Sequence, residues 1–279
     1  MKPRHLLVFV LAGLLITPLA GCGEPEGPSF GAEPEPDLTP ETHSFRYRTV
    51  GLVLENADHG PQLCFNAALS HPPQCGGLDI VGWSWDGLAH ESAGGTRWGS
   101  FEIVGTYDGE RLTLTEPARA GGGQGTTSPM PDFSSACPPP PGGWRVVDDA
   151  KATDAALQEA LALAESAPGA AGAWIDQNGG ENDPKKLVLN VRTTGEVAAH
   201  TQRLRAVWGG ALCVSPARRT LAELRRIQAA LPDVLNSGID VVANQVTADV
   251  YVATDARRQE LDARYGPGTV RLTGFLEPM

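Results

Sequence analysis

Long apolar runs are nearly absent from this chain of 279 residues; the clearest, Leu6–Ile16, is eleven residues long and interrupted by Gly13. That falls short of the ~20 residues a helix needs to span a bilayer. Basic side chains are scarce too, 22 against 33 acidic, for a formal net charge of −11. Such a surface repels phosphate backbones at long range and argues against a nucleic-acid binder. Signatures of common chemistry are missing as well. His90-Glu91 begins like a zincin motif, but Gly stands at position 94 where the second His would be. Gly82-Trp83-Ser84-Trp85-Asp86 lacks the second Gly of a nucleophile elbow. The glycine run Ala120–Gly125 is not followed by Lys-Ser/Thr and opens no helix, which makes it a hinge and not a phosphate loop. What is present is 41% apolar residues with six Trp, enough for real cores, together with 33 Gly and 23 Pro, which call for long linkers.

The clearest signal is an address. Lys2 and Arg4 precede the Leu6–Ile16 run, in the order of a secretory leader. The next segment, Leu19-Ala20-Gly21-Cys22, resembles the bacterial lipobox. That resemblance implies a signal peptide over 1–21, cleavage before Cys22, and a diacylglycerol and an N-acyl chain (palmitate-type lipid) at the new terminus. Several acyl chains anchor stably where one would be marginal. The expected location is the outer face of the bacterial cytoplasmic membrane. Residues 22–44 carry six acids, five prolines and no Lys or Arg. Such a stretch cannot bury enough apolar area to offset its chain entropy and reads as an acidic, extended spacer.

Beyond Cys22 the cysteines are Cys64, Cys75, Cys137 and Cys213. An even number in an exported chain argues for two disulfides, with three pairings open. The favoured one is Cys64–Cys75, closing a short loop, with Cys137–Cys213 tying a linker to a strand. The competing reading is a metal site built from His59, Cys64, His71 and Cys75, the inventory of a zinc centre. No C-x-x-C or H-x-x-x-H spacing supports it.

The expected fold is multi-domain: a small all-β module, an OB-like barrel, followed by an α+β module made of two αββαβ repeats. Residues 45–117 form the β module. Phe45–Leu54 reads as one strand or a bulged pair, and Asp79–Trp85 as another that puts Trp83 and Trp85 on one face, the barrel core. Phe101 and Ile103, then Leu112 and Leu114, alternate with mostly polar neighbours around Asp108-Gly109, a hairpin signal of the type I′ kind. Residues 118–150 are a Gly/Pro-rich linker, with Cys137 pinning its second half.

Residues 151–279 read as a duplication, about 151–216 and 217–279. Gln202-x-Leu204-x-Ala206-x-Trp208-Gly209 matches Gln259-x-Leu261-x-Ala263-x-Tyr265-Gly266 at an offset of 57, and Ile175-Asp176 answers Ile239-Asp240. Val191-x-Thr193 matches Val252-x-Thr254 at an offset of 61, which predicts a shorter helix in the second copy. Helices are expected over Asp154–Ser166, after capping boxes at Thr193/Glu196 and Thr220/Glu223, and over Asp255–Tyr265 behind Thr254.

The run Leu224–Gln228 followed by Asp240-x-x-x-Asn244-x-Val246 resembles the small α/β lobes in the pro-regions of streptogrisin-type bacterial proteases. The resemblance covers roughly fifty residues and implies a folding-helper or inhibitor-like binding lobe. The chain as a whole is similar to uncharacterised actinobacterial lipoproteins, which implies no activity.

Candidate chemistry is thin. Lys185–Arg226 holds nine basic and two acidic residues. It reads either as solvated helix faces or as a patch for anionic headgroups or wall polymers. His200 reads as a helix-surface or boundary residue, and Asp176 and Asp240 as duplicated turn residues. The expectation is a lipid-anchored, non-enzymatic binding or scaffold protein with no catalytic residue and no cofactor. Its partners are the membrane, through Cys22, and an envelope protein or polymer. Two alternatives stand beside it: an envelope hydrolase using His59, His71, His90 or Asp108, and a metal-binding lipoprotein.

Overall fold

A computed structural model describes residues 45–68, 70–122, 132–179 and 182–279. The leader, the lipobox with Cys22 and the acidic spacer lie outside the described residues. All described residues belong to one compact unit, His43–Met279.

The first part is a closed five-stranded barrel. β1 (Arg46–Glu55), β2 (Gln62–Cys64), β3 (Leu78–Val81), β5 (Thr96–Tyr107) and β6 (Arg111–Leu114) form it, with β4 (Glu91–Ala93) folded back on β5. The strand order around the barrel is β1-β2-β3-β6-β5, and β5 returns to β1 along ten paired positions. All these contacts are antiparallel except β3–β6. Closure removes exposed sheet edges. Period-two alternation supplies the interior: Val53, Leu63, Leu78, Ile80, Phe101, Ile103 and Leu112 are all buried there. Each contributes about 1.5–3 kcal/mol of apolar transfer.

Two local expectations change. The strand predicted through Trp85 stops at Val81, because the chain turns at Gly82 with φ +84°. Trp83 and Trp85 still pack edge-on against Phe101, so their core role survives on a loop. The Asp108-Gly109 hairpin exists, but its turn is not type I′. Only Gly109 has positive φ, while Asp108 Oδ1 accepts hydrogen bonds from the backbone N–H groups of Glu110 and Arg111. The Asp side chain helps close the turn from within; Tyr107 pairs with Leu112 and the Asp108 N–H donates to the Arg111 carbonyl, so the two central residues are Gly109 and Glu110 in place of Asp108 and Gly109.

The second part is α+β. The first half runs α1 (Asp154–Ser166), β8 (Ala170–Asp176), β9 (Val188–Thr193), α2 (Val197–Arg205), β10 (Ala211–Pro216). The second runs α3 (Leu221–Ala229), β11 (Asn236–Asp240), β12 (Gln245–Val250), α4 (Asp255–Tyr265), β13 (Val270–Gly274). Each half is a three-stranded sheet whose middle strand pairs antiparallel with the first strand and parallel with the third. β7 (Arg119–Ala120) and β14 (Glu277–Pro278) extend the barrel sheet on β5 and β1. Ile175 pairs with Leu189 and Leu189 with Leu212; Ile239 pairs with Val246 and Val246 with Val270. The Ile-Asp match in the sequence is therefore a match in register.

The middle-strand match is not. Leu189 and Val191 correspond to Val246 and Ala248, the same displacement that relates Leu204 to Leu261. Thr193 ends a strand, whereas Thr254 caps α4 and accepts from the Arg257 N–H. The predicted shorter helix is consequently wrong: α4 has 11 residues and α2 has 9. The capping box at Thr193/Glu196 does not form either. α2 begins after Glu196 without a side-chain cap, and Thr193 Oγ1 is engaged with Gly169, Gly195 and His200. The box at Thr220/Glu223 forms in full.

Both favoured disulfides are present, Cys64–Cys75 and Cys137–Cys213. Residues after 131 run across the face of β8–β10 opposite α1 and α2. Ser135 donates from N and Oγ to Asp176 Oδ2, and Asn190 Nδ2 donates to Ser135 Oγ. Trp144 and Cys137 cover Val188, Ala211 and Cys213. The far end of the chain also reaches back to the barrel. β14 pairs with β1, Leu276 is part of the barrel core, and Tyr251, Val252 and Phe275 pack against it.

Candidate functional site

Between the two α+β halves lies a cavity of about 570 Å³, lined by Arg192, Pro216–Arg219, Ala243, Asn244 and Gly266–Thr269. Three arginines and no carboxylate line it. Each lining group is put there by a different element, and its local sequence explains how.

Asn244 builds the floor. It sits in the tight β11–β12 turn at φ +55°, a left-handed conformation that Asn tolerates better than most residues. Asp240 Oδ1 accepts from the Ala243 N–H and helps close that turn. The Asn244 side chain, 9% exposed, then reaches across to the β10–α3 connection. Its Oδ1 accepts from the N–H groups of Arg218 and Arg219 at 3.1 and 3.0 Å, and its Nδ2 donates to the Arg219 carbonyl at 2.9 Å. The Asp-x-x-x-Asn-x-Val pattern is thereby explained: a turn, a clamp, and a core residue, Val246.

Arg219 is held in place. Its Nε donates to Thr269 Oγ1 at 3.0 Å and its Nη2 to the Tyr265 carbonyl, while Thr269 Oγ1 itself donates to that carbonyl. Gly266 ends α4 at φ +90°; a Cβ there would sit 2.8 Å from Arg219 Nη2. Arg218 is exposed, with no side-chain hydrogen bond or ion pair among the described residues.

Arg192 enters from β9, the central strand of its sheet. Its guanidinium lies 5.8 Å from the Trp174 ring centroid and donates through Nη1 to the Pro216 carbonyl at 3.3 Å. Burial pushes it below its ordinary pKa, and the nearby Asp240 charge opposes that. Among the described residues its Nε is buried without a hydrogen-bond partner, and so is Oγ of Ser215, the residue in register with it on β10.

The basic run Lys185–Arg226 therefore divides. Lys185 and Lys186 pair with Asp149 and Asp183, and Arg205 donates to the carbonyls of Trp208 and Gly210. Arg192, Arg218 and Arg219 converge on the cavity. Charge clustering was visible in the sequence, but which members converge depends on β9 and the β10–α3 connection meeting. Thr269 carried no signal at all.

The other candidates scatter. His59 contacts Asn56 and the Gly60 carbonyl, His71 packs edge-on to Trp98, His90 lies against Trp85, and Asp108 closes its hairpin. None of these four hydrogen-bonds to another among the described residues, so no hydrolase site is assembled from them. The metal reading loses both sulfurs to the Cys64–Cys75 disulfide. No group of three or more His, Cys, Asp or Glu is placed to hold a metal ion among the described residues. His200 is not a surface residue: it is 7% exposed, with Nε2 3.0 Å from Thr193 Oγ1. Asp176 and Asp240 end β8 and β11, and each carboxylate accepts from a backbone N–H of the turn that follows, those of Asn178 and Ala243; Asp176 also holds Ser135. No helix of the described residues is long and apolar enough to cross a membrane.

No protein-family model and no curated protein sequence matches this chain.

Proposed function

We propose that this protein is a non-enzymatic binding lipoprotein, anchored through Cys22 at the outer face of the bacterial cytoplasmic membrane, that holds an anion of the cell envelope between its two α+β halves. In this reading the 22–44 spacer lifts the folded part from the membrane, and the barrel is an OB-like module joined to two repeated lobes. The resemblance to pro-region lobes agrees with it, since that resemblance implies an inhibitor-like binding lobe. The observation that carries the reading is the convergence of Arg192, Arg218 and Arg219 on one cavity without a lining carboxylate, in a chain of net charge −11. Acidic proteins gain nothing in solubility from such a cluster, and the planar guanidinium fork suits oxyanions.

The test uses the full chain in detergent. Phosphate, sulfate and citrate, each at matched ionic strength against chloride, should raise the thermal midpoint with a saturable dependence, since a ligand of the native state stabilises it by mass action. Arg218→Ala should flatten that dependence while leaving the midpoint without anion nearly unchanged. An equal response in wild type and variant would reduce the effect to general salt stabilisation and remove the cavity as a ligand site. In parallel, Cys22→Ala should shift the protein out of the membrane fraction.

A further inference from the structure

Resting on the anion reading above, we infer that the cavity is built for a phosphomonoester on a small hydroxylated body, a sugar or polyol phosphate, and not for a bare inorganic anion or a nucleotide. Three features of the cavity support this.

The first is charge. Three guanidiniums line the cavity, and carboxylates flank it: Asp240 beside Arg192, Glu223 beside Arg219, and Asp262, whose Oδ1 accepts from the Gly268 N–H. Arg219 is already tied to Thr269 and the Tyr265 carbonyl. Arg218 makes no side-chain hydrogen bond or ion pair among the described residues, and Arg192 retains donors beyond its bond to Pro216. A dianionic head group suits two such forks better than a monoanion, and a phosphomonoester is a dianion once its second proton, of pKa about 6, has left.

The second is size. A bare phosphate displaces on the order of three waters, or about 90 Å³ at ~30 Å³ each. The cavity holds about 570 Å³, within the range of small-molecule sites. Most of it remains for a body attached to the head group.

The third is the lining away from the arginines: Pro216, Ala217, Ala243, Pro267 and the glycines 266 and 268, with Asn244 and Thr269. No aromatic side chain is among the lining residues, so a nucleobase finds no stacking partner. Small residues that leave backbone groups approachable suit hydroxyls.

The lining also makes the inference testable by pH. Arginine, asparagine, threonine, proline, alanine and glycine do not titrate between pH 5 and 8. A change of affinity over that interval then reports the second phosphate proton of the ligand. The experiment is calorimetric titration of the full chain in detergent with sn-glycerol 3-phosphate, glucose 6-phosphate, inorganic phosphate, sulfate and AMP at constant ionic strength. Phosphatidylcholine vesicles carrying phosphatidate are the lipid-borne form of the same group.

Either ester should bind at least tenfold more tightly than inorganic phosphate, sulfate or AMP. Its affinity should rise roughly tenfold from pH 5 to pH 7, as the dianion fraction does, while sulfate stays flat. Arg192→Met, which keeps the apolar stem against Trp174, should abolish ester binding; Arg218→Ala, at an exposed position, should weaken it tenfold or more with the fold intact. Esters no tighter than sulfate, or with no pH dependence, would overturn the ester inference and leave the anion site standing. AMP as the best ligand would overturn the choice of body. Phosphatidate vesicles outcompeting the soluble esters would overturn a soluble ligand. Absence of saturable binding by any anion would bring down both this inference and the reading on which it rests.

Discussion

Asn244 offers the sharpest test of how the β11–β12 turn is clamped to the β10–α3 connection. Its side chain makes three hydrogen bonds to the backbone of Arg218 and Arg219, and its own backbone is left-handed at φ +55°. Asn244→Ala removes all three bonds and adds a Cβ-only residue in that conformation. Three buried bonds at about 1 kcal/mol each give about 3 kcal/mol, and the left-handed conformation adds about 1 kcal/mol for Ala. Asn244→Gly separates the two contributions: it loses the same bonds but accepts positive φ without strain, so it should lie about 1 kcal/mol above Ala. The assay is urea unfolding of the oxidised protein followed by Trp fluorescence, with slopes compared so that midpoints convert to free energies. A loss below about 1 kcal/mol for Ala, with Gly no better, would refute the clamp and make Asn244 an ordinary turn residue.

Two further outcomes are expected. Cys137–Cys213 closes a separation of 76 residues, so replacing both cysteines with Ser should cost up to about 4–5 kcal/mol by chain-entropy reckoning. It should also make residues 132–148 an early site of limited proteolysis, and unchanged cleavage would show that Ser135, Trp144 and Asn190 suffice to hold the segment. Glu223 titrates below its usual range because the Thr220 N–H and hydroxyl bond its carboxylate. A carboxylate lowered in the folded state contributes stability that is present above its unfolded pKa and is lost as pH falls through the folded value. Acid unfolding of wild type below about pH 4.5 should therefore be steeper than that of Glu223→Gln, and coincident acid limbs would remove the capping box from that balance.

How much of this was legible beforehand varies element by element. Alternation at Phe101, Ile103, Leu112 and Leu114 marked the barrel hairpin, since a period of two has one buried face whatever surrounds it. The type of turn did not follow, because Asp108 could satisfy the backbone with its own side chain and relieve one residue of positive φ. The cap at Thr220/Glu223 was readable, being a contact within four residues. The same pattern at Thr193/Glu196 failed because Thr193 belongs to β9 and its hydroxyl is taken by Gly169, Gly195 and His200, the first of which lies a strand away. The four-residue shift between the copies misled for a related reason: two Thr residues of like surroundings in sequence occupy a strand end and a helix cap.

The sequence alone determined the periodic and the local: where most strands and helices run, and that the second part is duplicated. Those properties rest on backbone sterics, side-chain spacing and short loops, which neighbours several residues away settle. Tertiary structure alone decided that Leu276 and β14 join the barrel, that the linker from 132 covers a sheet face, and that Arg192 meets Arg218 and Arg219 across the two halves. Each of these unites residues far apart in the chain. Only packing free energy summed over many contacts chooses between such pairings, and no local pattern carries that sum. The candidate site belongs wholly to this second kind: its charges were visible in the sequence, and their convergence was not.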